Sequence, residues 1–160
     1  MQIQLVPARA ADLENPTSAI TRGLEGGFSD TPQAAREAVQ AVLDTITRQD
    51  RPDPWGAYWA LDADFGGAVG LCAFKTEPDG AGAVEIAYYS LPGLEGRGVA
   101  TAMAGALIQA ARLGGARAVT ANTLPVANAS GVVLRRNGFR WLGPAHDAED
   151  GEVWAWRLEV

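Results

Sequence analysis

The chain has 160 residues, 48% of them apolar, and a formal net charge of -6. This length suits one domain over residues 1–160 that buries its core without disulfides or metal staples, and the negative balance excludes the basic excess of an ordinary nucleic-acid binder. No apolar run approaches the roughly 18 residues of a membrane helix, and Met1-Gln2-Ile3-Gln4-Leu5 lacks the basic and apolar regions of a signal peptide. A cytoplasmic protein with neither membrane nor nucleic-acid partners is therefore expected.

Gln2 to Val6 alternates polar and apolar residues and predicts a first strand ended by Pro7. A short helix begins near Ala10, and Asn15 to Asp30, with Gly23, Gly26 and Gly27, reads as a loop or a loosely helical connection. Thr31-Pro32 is a helix start, with Thr31 as N-cap and Pro32 where a missing N–H costs nothing. Ala35, Ala38, Val39, Val42, Leu43 and Ile46 follow at helical spacing to about Gln49. Trp55 to Leu61 and Val69 to Lys75 form a predicted antiparallel hairpin, and Ala83 to Ser90 adds the next antiparallel strand after the turn at Glu77-Pro78-Asp79-Gly80. Cys72, the only cysteine, lies in the apolar run Val69 to Phe74 and reads as a buried core thiol.

After Pro92-Gly93, Gly96 and Gly98 open a helix that runs to about Leu113, where Gly114-Gly115 stops it. Unpaired N–H groups on that helix's first turn, beside glycines that let a ligand approach the backbone, suit a phosphate or pyrophosphate. Ala118 to Asn122 reads as a strand parallel to the one before the helix. A short helix from about Asn128 to Arg136 closes on Asn137-Gly138-Phe139 in the manner of a glycine C-cap, and Phe139 to Leu142 and Val153 to Leu158 are the last strands. The result is an α+β chain: a mixed, mostly antiparallel sheet of six to seven strands with flanking helices and one parallel crossover. From Ile86 to Leu142 the only acid is Glu95, against six arginines, whereas residues 1–84 hold twelve acids and six bases. That asymmetry suits an anionic cofactor in one half and a cationic substrate near the other, as it also suits ordinary surface charge.

The segments Val84-Glu85-Ile86-Ala87-Tyr88, Glu95-Gly96-Arg97-Gly98-Val99-Ala100-Thr101, Thr123 to Ser130 and Val133 to Phe139 resemble, in order and spacing, the GNAT N-acetyltransferase superfamily, most closely its RimJ/RimL-like branch. The resemblance implies the GNAT-like acyl-CoA N-acyltransferase fold, acetyl-CoA as cosubstrate and a primary amine as acceptor, whether a protein N-terminus, an amino acid or a small cationic amine. It places the pyrophosphate on Gly96, Arg97, Gly98, Val99, Ala100 and Thr101. The pantetheine arm runs along Tyr88, Tyr89 and Ser90, with a backbone N–H near Tyr89 facing the acetyl oxygen. Asn128 binds the pantetheine or caps its helix. Glu85 is the candidate base, acting through water, or a strand carboxylate paired with a cation; Ser130 is the candidate acid, or a plain first-turn residue.

Two departures from the pattern stand out. Glu95 replaces the usual Gln or Arg, and no tyrosine follows Tyr89 to serve as general acid. A CoA-binding module with little or no turnover is thus the alternative. His146, amid Asp147, Glu149, Asp150 and Glu152, reads as part of an acidic loop rather than a metal site; that loop and Gly26 to Asp30 are expected to border the acceptor pocket. The tryptophans read as core and sheet residues, and a homodimer is in keeping with proteins of this kind.

Overall fold

The computed structural model describes residues 1–26 and 32–160. Its seven-stranded sheet has the order β1-β2-β3-β4-β5-β7-β6, built from β1 (Ile3–Pro7), β2 (Ala57–Asp62), β3 (Gly67–Phe74), β4 (Ala83–Ser90), β5 (Ala118–Thr123), β6 (Arg140–Asp147) and β7 (Gly151–Glu159). Among the described residues four α-helices flank it, α1 (Ser18–Gly26), α2 (Pro32–Ile46), α3 (Val99–Leu113) and α4 (Ala129–Arg136), and the short helix expected near Ala10 is a 3-10 turn over Ala10–Leu13. All pairings are antiparallel except β4 with β5. This is the open mixed sheet expected from the sequence, with α3 as the crossover between the parallel pair.

The center of the sheet is apolar on both faces. Every residue of β3 is buried, which its continuous small and branched run Gly67-Ala68-Val69-Gly70-Leu71-Cys72-Ala73-Phe74 permits. Small residues let the helices come close. A Cβ on Gly70 would strike the Met103 side chain of α3, and one on Gly23 of α1 would overlap the Ala68 carbonyl of β3. The second contact explains an element that the sequence obscures. Glycine disfavors a helix by roughly 1 kcal/mol relative to alanine, yet residues 18–26 are helical because burial of Ile20 and Leu24 and the close approach at Gly23 outweigh that preference.

The end of the chain also departs from expectation. Residues 143–152, read from sequence as an acidic loop, form most of a hairpin between β6 and β7, with His146 opposite Glu152 and Asp147 opposite Gly151. Asp147 makes the turn: its carboxylate accepts the N–H groups of Glu149 and Asp150, both at 2.9 Å, and these bonds hold its pKa below the usual carboxylate value. The expected N-cap at Thr31 and the segment from Gly27 to Asp30 lie outside the described residues.

Candidate active site

The parallel pairing of β4 with β5 covers only Ala83–Glu85 against Ala118–Thr120. Beyond it, Ile86 to Ser90 keep β3 on one side and, among the described residues, have no strand partner on the other. Which backbone groups face the gap follows from the ladder. The Glu85 carbonyl accepts the Lys75 N–H and the Leu91 N–H donates to Val69, so the odd-numbered residues of this strand are spent on β3. Ile86, Tyr88 and Ser90 therefore turn their N–H and C=O groups toward the gap. The N–H of Tyr89 itself is directed to β3, so the gap-facing N–H groups near Tyr89 are those of Tyr88 and Ser90.

A cavity of about 490 Å³ occupies this place. Its walls are the end of β4 (Tyr88, Tyr89, Ser90), the turn and first residues of α3 (Glu95, Gly96, Gly98, Val99, Ala100, Thr101), and one face of α4. Gly96 and Gly98 have φ of 73° and 83°, so glycine is needed for the turn itself, and a Cβ on either would meet nothing within 4 Å. Gly98 precedes α3 without a side-chain cap. The first-turn N–H groups of Val99, Ala100 and Thr101 thus lack helical partners at the place where these residues line the cavity, an arrangement that attracts anions.

Helix α4 closes the other side. Asn128 caps it, with Oδ1 accepting the Gly131 N–H at 3.0 Å. At the far end Phe139 N–H reaches the Leu134 carbonyl and Gly138 N–H the Arg135 carbonyl, a Schellman stop with Gly138 at φ 86°. The Asn137 side chain donates to the Thr101 carbonyl at 3.2 Å, which ties this end of α4 to the start of α3. Beneath α4 lies Trp156, whose ring Gly131 approaches, whose Nε1 donates to Thr123, and over which Arg135 stacks at 5.0 Å.

Of the sequence-predicted residues, Tyr88, Tyr89, Ser90, Gly96, Gly98, Val99, Ala100, Thr101 and Ser130 meet around this cavity. Arg97 and Asn128 are not among its lining residues: Arg97 is exposed on the turn and Asn128 serves as the cap. Glu95 lines the mouth, with its carboxylate folded back onto the Gly93 N–H at 2.7 Å. Burial, and after it the nearby charge of Glu95, push the Tyr89 phenol above its ordinary pKa. Sequence reading missed Ala129, Val132, Val133 and Arg136. Their spacing of three, four and seven residues is one helical stripe, visible once α4 is known to begin at Ala129.

Glu85 lies elsewhere. Successive residues of β4 point to opposite faces, and pairing with β3 is unbroken from Ile86 to Ser90, so Glu85 and Tyr88 face opposite sides of the sheet. Glu85 is 21% exposed and forms an ion pair with Lys75 at 3.1 Å, with the Asn122 amide at 3.5 Å from the same oxygen. Lys75 is the chain's sole lysine. Burial disfavors its charge, but Glu85, then Asp150 and Asp147 of the β6–β7 turn, outweigh this and raise its pKa. Asp147 is also 3.5 Å from Asn122. The structure therefore surrounds the candidate base with a cation and two further acids from the hairpin, a grouping that no local stretch of sequence reveals.

Tyr88 and Ser130, 42 positions apart, meet inside the cavity with Oη and Oγ at 2.9 Å. Burial raises the Tyr88 pKa and outweighs the lowering that the Ser130 hydroxyl would exert by donating to a phenolate, so the phenol keeps its proton at neutral pH.

The sequence pattern of the acetyltransferase (GNAT) domain matches residues 2–140. No curated protein matches the chain in sequence. Several solved structures share its fold over nearly its whole length. RimL, the ribosomal L7/L12 alpha-N-protein acetyltransferase in complex with coenzyme A, is 17% identical over 100% of this chain and 95% of its own, with a TM-score of 0.68. The microcin C7 self-immunity acetyltransferase MccE, in complex with acetyl-CoA and AMP, is 14% identical over 99% and 93%, with a TM-score of 0.69. A GCN5-related N-acetyltransferase from Kribbella flavida is 20% identical over 99% and 98%, with a TM-score of 0.62.

Proposed function

We propose that this chain, which belongs to the GNAT acetyltransferase family, moves an acetyl group from acetyl-CoA to a primary amine by direct attack in a ternary complex. The observation that carries the reading is the convergence of three features on one cavity: free β4 backbone, an uncapped α3 N-terminus and the Tyr88–Ser130 hydroxyl pair. Coenzyme A requires such a place, with donors for a pyrophosphate at one end and an extended strand edge for an amide-bearing arm at the other. Structures of the same fold hold coenzyme A or acetyl-CoA.

In this reading the N–H groups of Gly96 to Thr101 hold the pyrophosphate, and Arg136 adds positive charge from α4. The pantetheine arm pairs with β4 as an added strand at Tyr88 and Ser90, and a gap-facing N–H at one of these residues polarizes the acetyl carbonyl. The amine reaches the thioester from the face of Glu85, where the hairpin acids Asp147 and Asp150 favor a cation. Attack needs the neutral amine, so Glu85 takes a proton through water. Ser130 faces the departing sulfur from the opposite side. Acceptors that fit are a protein N-terminus, an amino acid or a small cationic amine.

The second reading, a CoA-binding module with little turnover, draws on Glu95 at the cavity mouth and on the Lys75 ion pair that occupies Glu85. Incubation of the protein with acetyl-CoA and a panel of primary amines, followed by free-thiol detection, separates the two. Amine-dependent thiol release with a matching N-acetylated product supports the enzyme, whereas tight CoA binding without release from any amine supports the module.

A further inference from the structure

We infer that Tyr88 is the positioning residue for Ser130: its phenol donates to Ser130 Oγ, which leaves the serine O–H free to point at the leaving sulfur of coenzyme A. The inference rests on the acyl-CoA reading above and assigns the proton geometry within it.

The argument begins with Ser130 itself. A serine inside a helix ordinarily spends its O–H on a carbonyl three or four residues back. Ser130 is the second residue of α4, so the carbonyls at those positions precede the helix, and among the described residues its Oγ has Tyr88 as its hydrogen-bond partner. Tyr88 Oη has two acceptors within reach, Ser130 Oγ at 2.9 Å and the Ser130 carbonyl oxygen at 3.4 Å. That carbonyl already receives the amide four residues on in the α-helical ladder. The shorter contact to the free acceptor is the better bond.

With the phenol proton on Oγ, the serine has one hydrogen left and the cavity in front of it. When the carbon–sulfur bond of the thioester breaks, the electron pair goes to sulfur. A directed O–H then stabilizes that thiolate by a charge-assisted hydrogen bond, without net proton transfer from the protein. The reverse arrangement, serine donating to Tyr88 and Tyr88 to the carbonyl, would turn the serine proton away from the sulfur.

The two arrangements predict opposite signs for one substitution. The thiol pKa of enzyme-bound coenzyme A, read by ultraviolet absorbance of the thiolate across a pH titration, requires no acceptor amine. Ser130→Ala raises that pKa relative to wild type by about one pH unit, a tenfold change in the ratio of thiolate to thiol. Tyr88→Phe raises it in the same direction by a smaller amount, and the double variant matches Ser130→Ala because Tyr88 works through the serine. Glu95 and Arg136, the other charged groups around the cavity, are present in every variant, so the differences isolate the hydroxyl pair. A Tyr88→Phe value equal to or below wild type, or effects that add in the double variant, would overturn the inference and leave the acyl-CoA reading standing. Failure of the wild-type protein to bind coenzyme A in calorimetry would overturn both.

Discussion

Asn128 provides a sharp test of how the site is built, because the sequence allows it two roles and the structure shows it in the capping one. Asn128→Ala removes the 3.0 Å bond between Oδ1 and the Gly131 N–H. Helix α4 has 8 residues, too few to be stable in isolation, and Gly131 is buried against the Trp156 ring, where water is a poor substitute for the lost acceptor. The cost should therefore lie in the upper half of the usual capping range, about 1–2 kcal/mol. In a domain of this size that lowers the melting temperature by roughly 2–8 °C. Asn128→Ser retains a capping oxygen but removes the amide that a pantetheine arm would use. Calorimetric unfolding and coenzyme A titration on both variants decide the matter. The expected result is a lowered melting temperature for Asn128→Ala, a near-wild-type one for Asn128→Ser, and wild-type coenzyme A affinity in Asn128→Ser. A fully stable Asn128→Ser variant with tenfold weaker affinity would refute the capping role as sufficient and restore Asn128 to the ligand.

Other substitutions probe the two faces separately. Glu95→Gln preserves an acceptor for the Gly93 N–H while removing a carboxylate from the cavity mouth, so coenzyme A should bind about two- to fivefold tighter, with the gain shrinking as salt rises; isothermal titration at two ionic strengths reads this. Glu85→Gln should lower kcat by roughly a hundredfold or more with an accepted amine and leave coenzyme A affinity unchanged, since Glu85 is on the other face of the sheet from Tyr88; steady-state kinetics beside a coenzyme A titration checks both halves. Alkaline stability follows from burial: Tyr58 is pushed up from 10.0 and Cys72 from 9.0, each to about 12, chiefly by desolvation of the anion. The unfolded chain releases these protons first, so stability present below about pH 9 should be lost as pH rises toward 12. Melts between pH 8 and pH 12 on wild type and Tyr58→Phe should show a shallower decline for the variant.

What the sequence makes legible here is local chemistry. Gly96 and Gly98, the Asn128 cap and the Asn137-Gly138-Phe139 stop each depend on a few neighboring residues, and each is where the spacing places it. Elements whose stability comes from distant partners are harder to read. Gly23 argues against a helix until the Ala68 backbone is seen against it, and Gly143-Pro144 with the acids that follow conceals a hairpin in which Pro144 and Ala145 pair with Trp154 and Val153. The site shows the same division. Its glycine turn is visible in one heptapeptide, whereas the Tyr88–Ser130 pair and the Lys75–Glu85–Asn122 group join residues tens of positions apart. Which N–H near Tyr89 faces the gap is likewise a matter of ladder phase, which the strand's own sequence does not specify.

The claim on which the rest depends is that the cavity between β4 and α4 presents an acetyl thioester to an amine held on the Glu85 face. The most direct measurement is mass spectrometry of primary amines incubated with the protein and acetyl-CoA, alongside quantitation of free thiol. The account predicts an N-acetylated amine formed one for one with released coenzyme A, with both reduced in parallel by Ser130→Ala and by Glu85→Gln. Thiol release without an acetylated amine, or an acetylated amine at the same rate in Glu85→Gln and Ser130→Ala as in wild type, would contradict it.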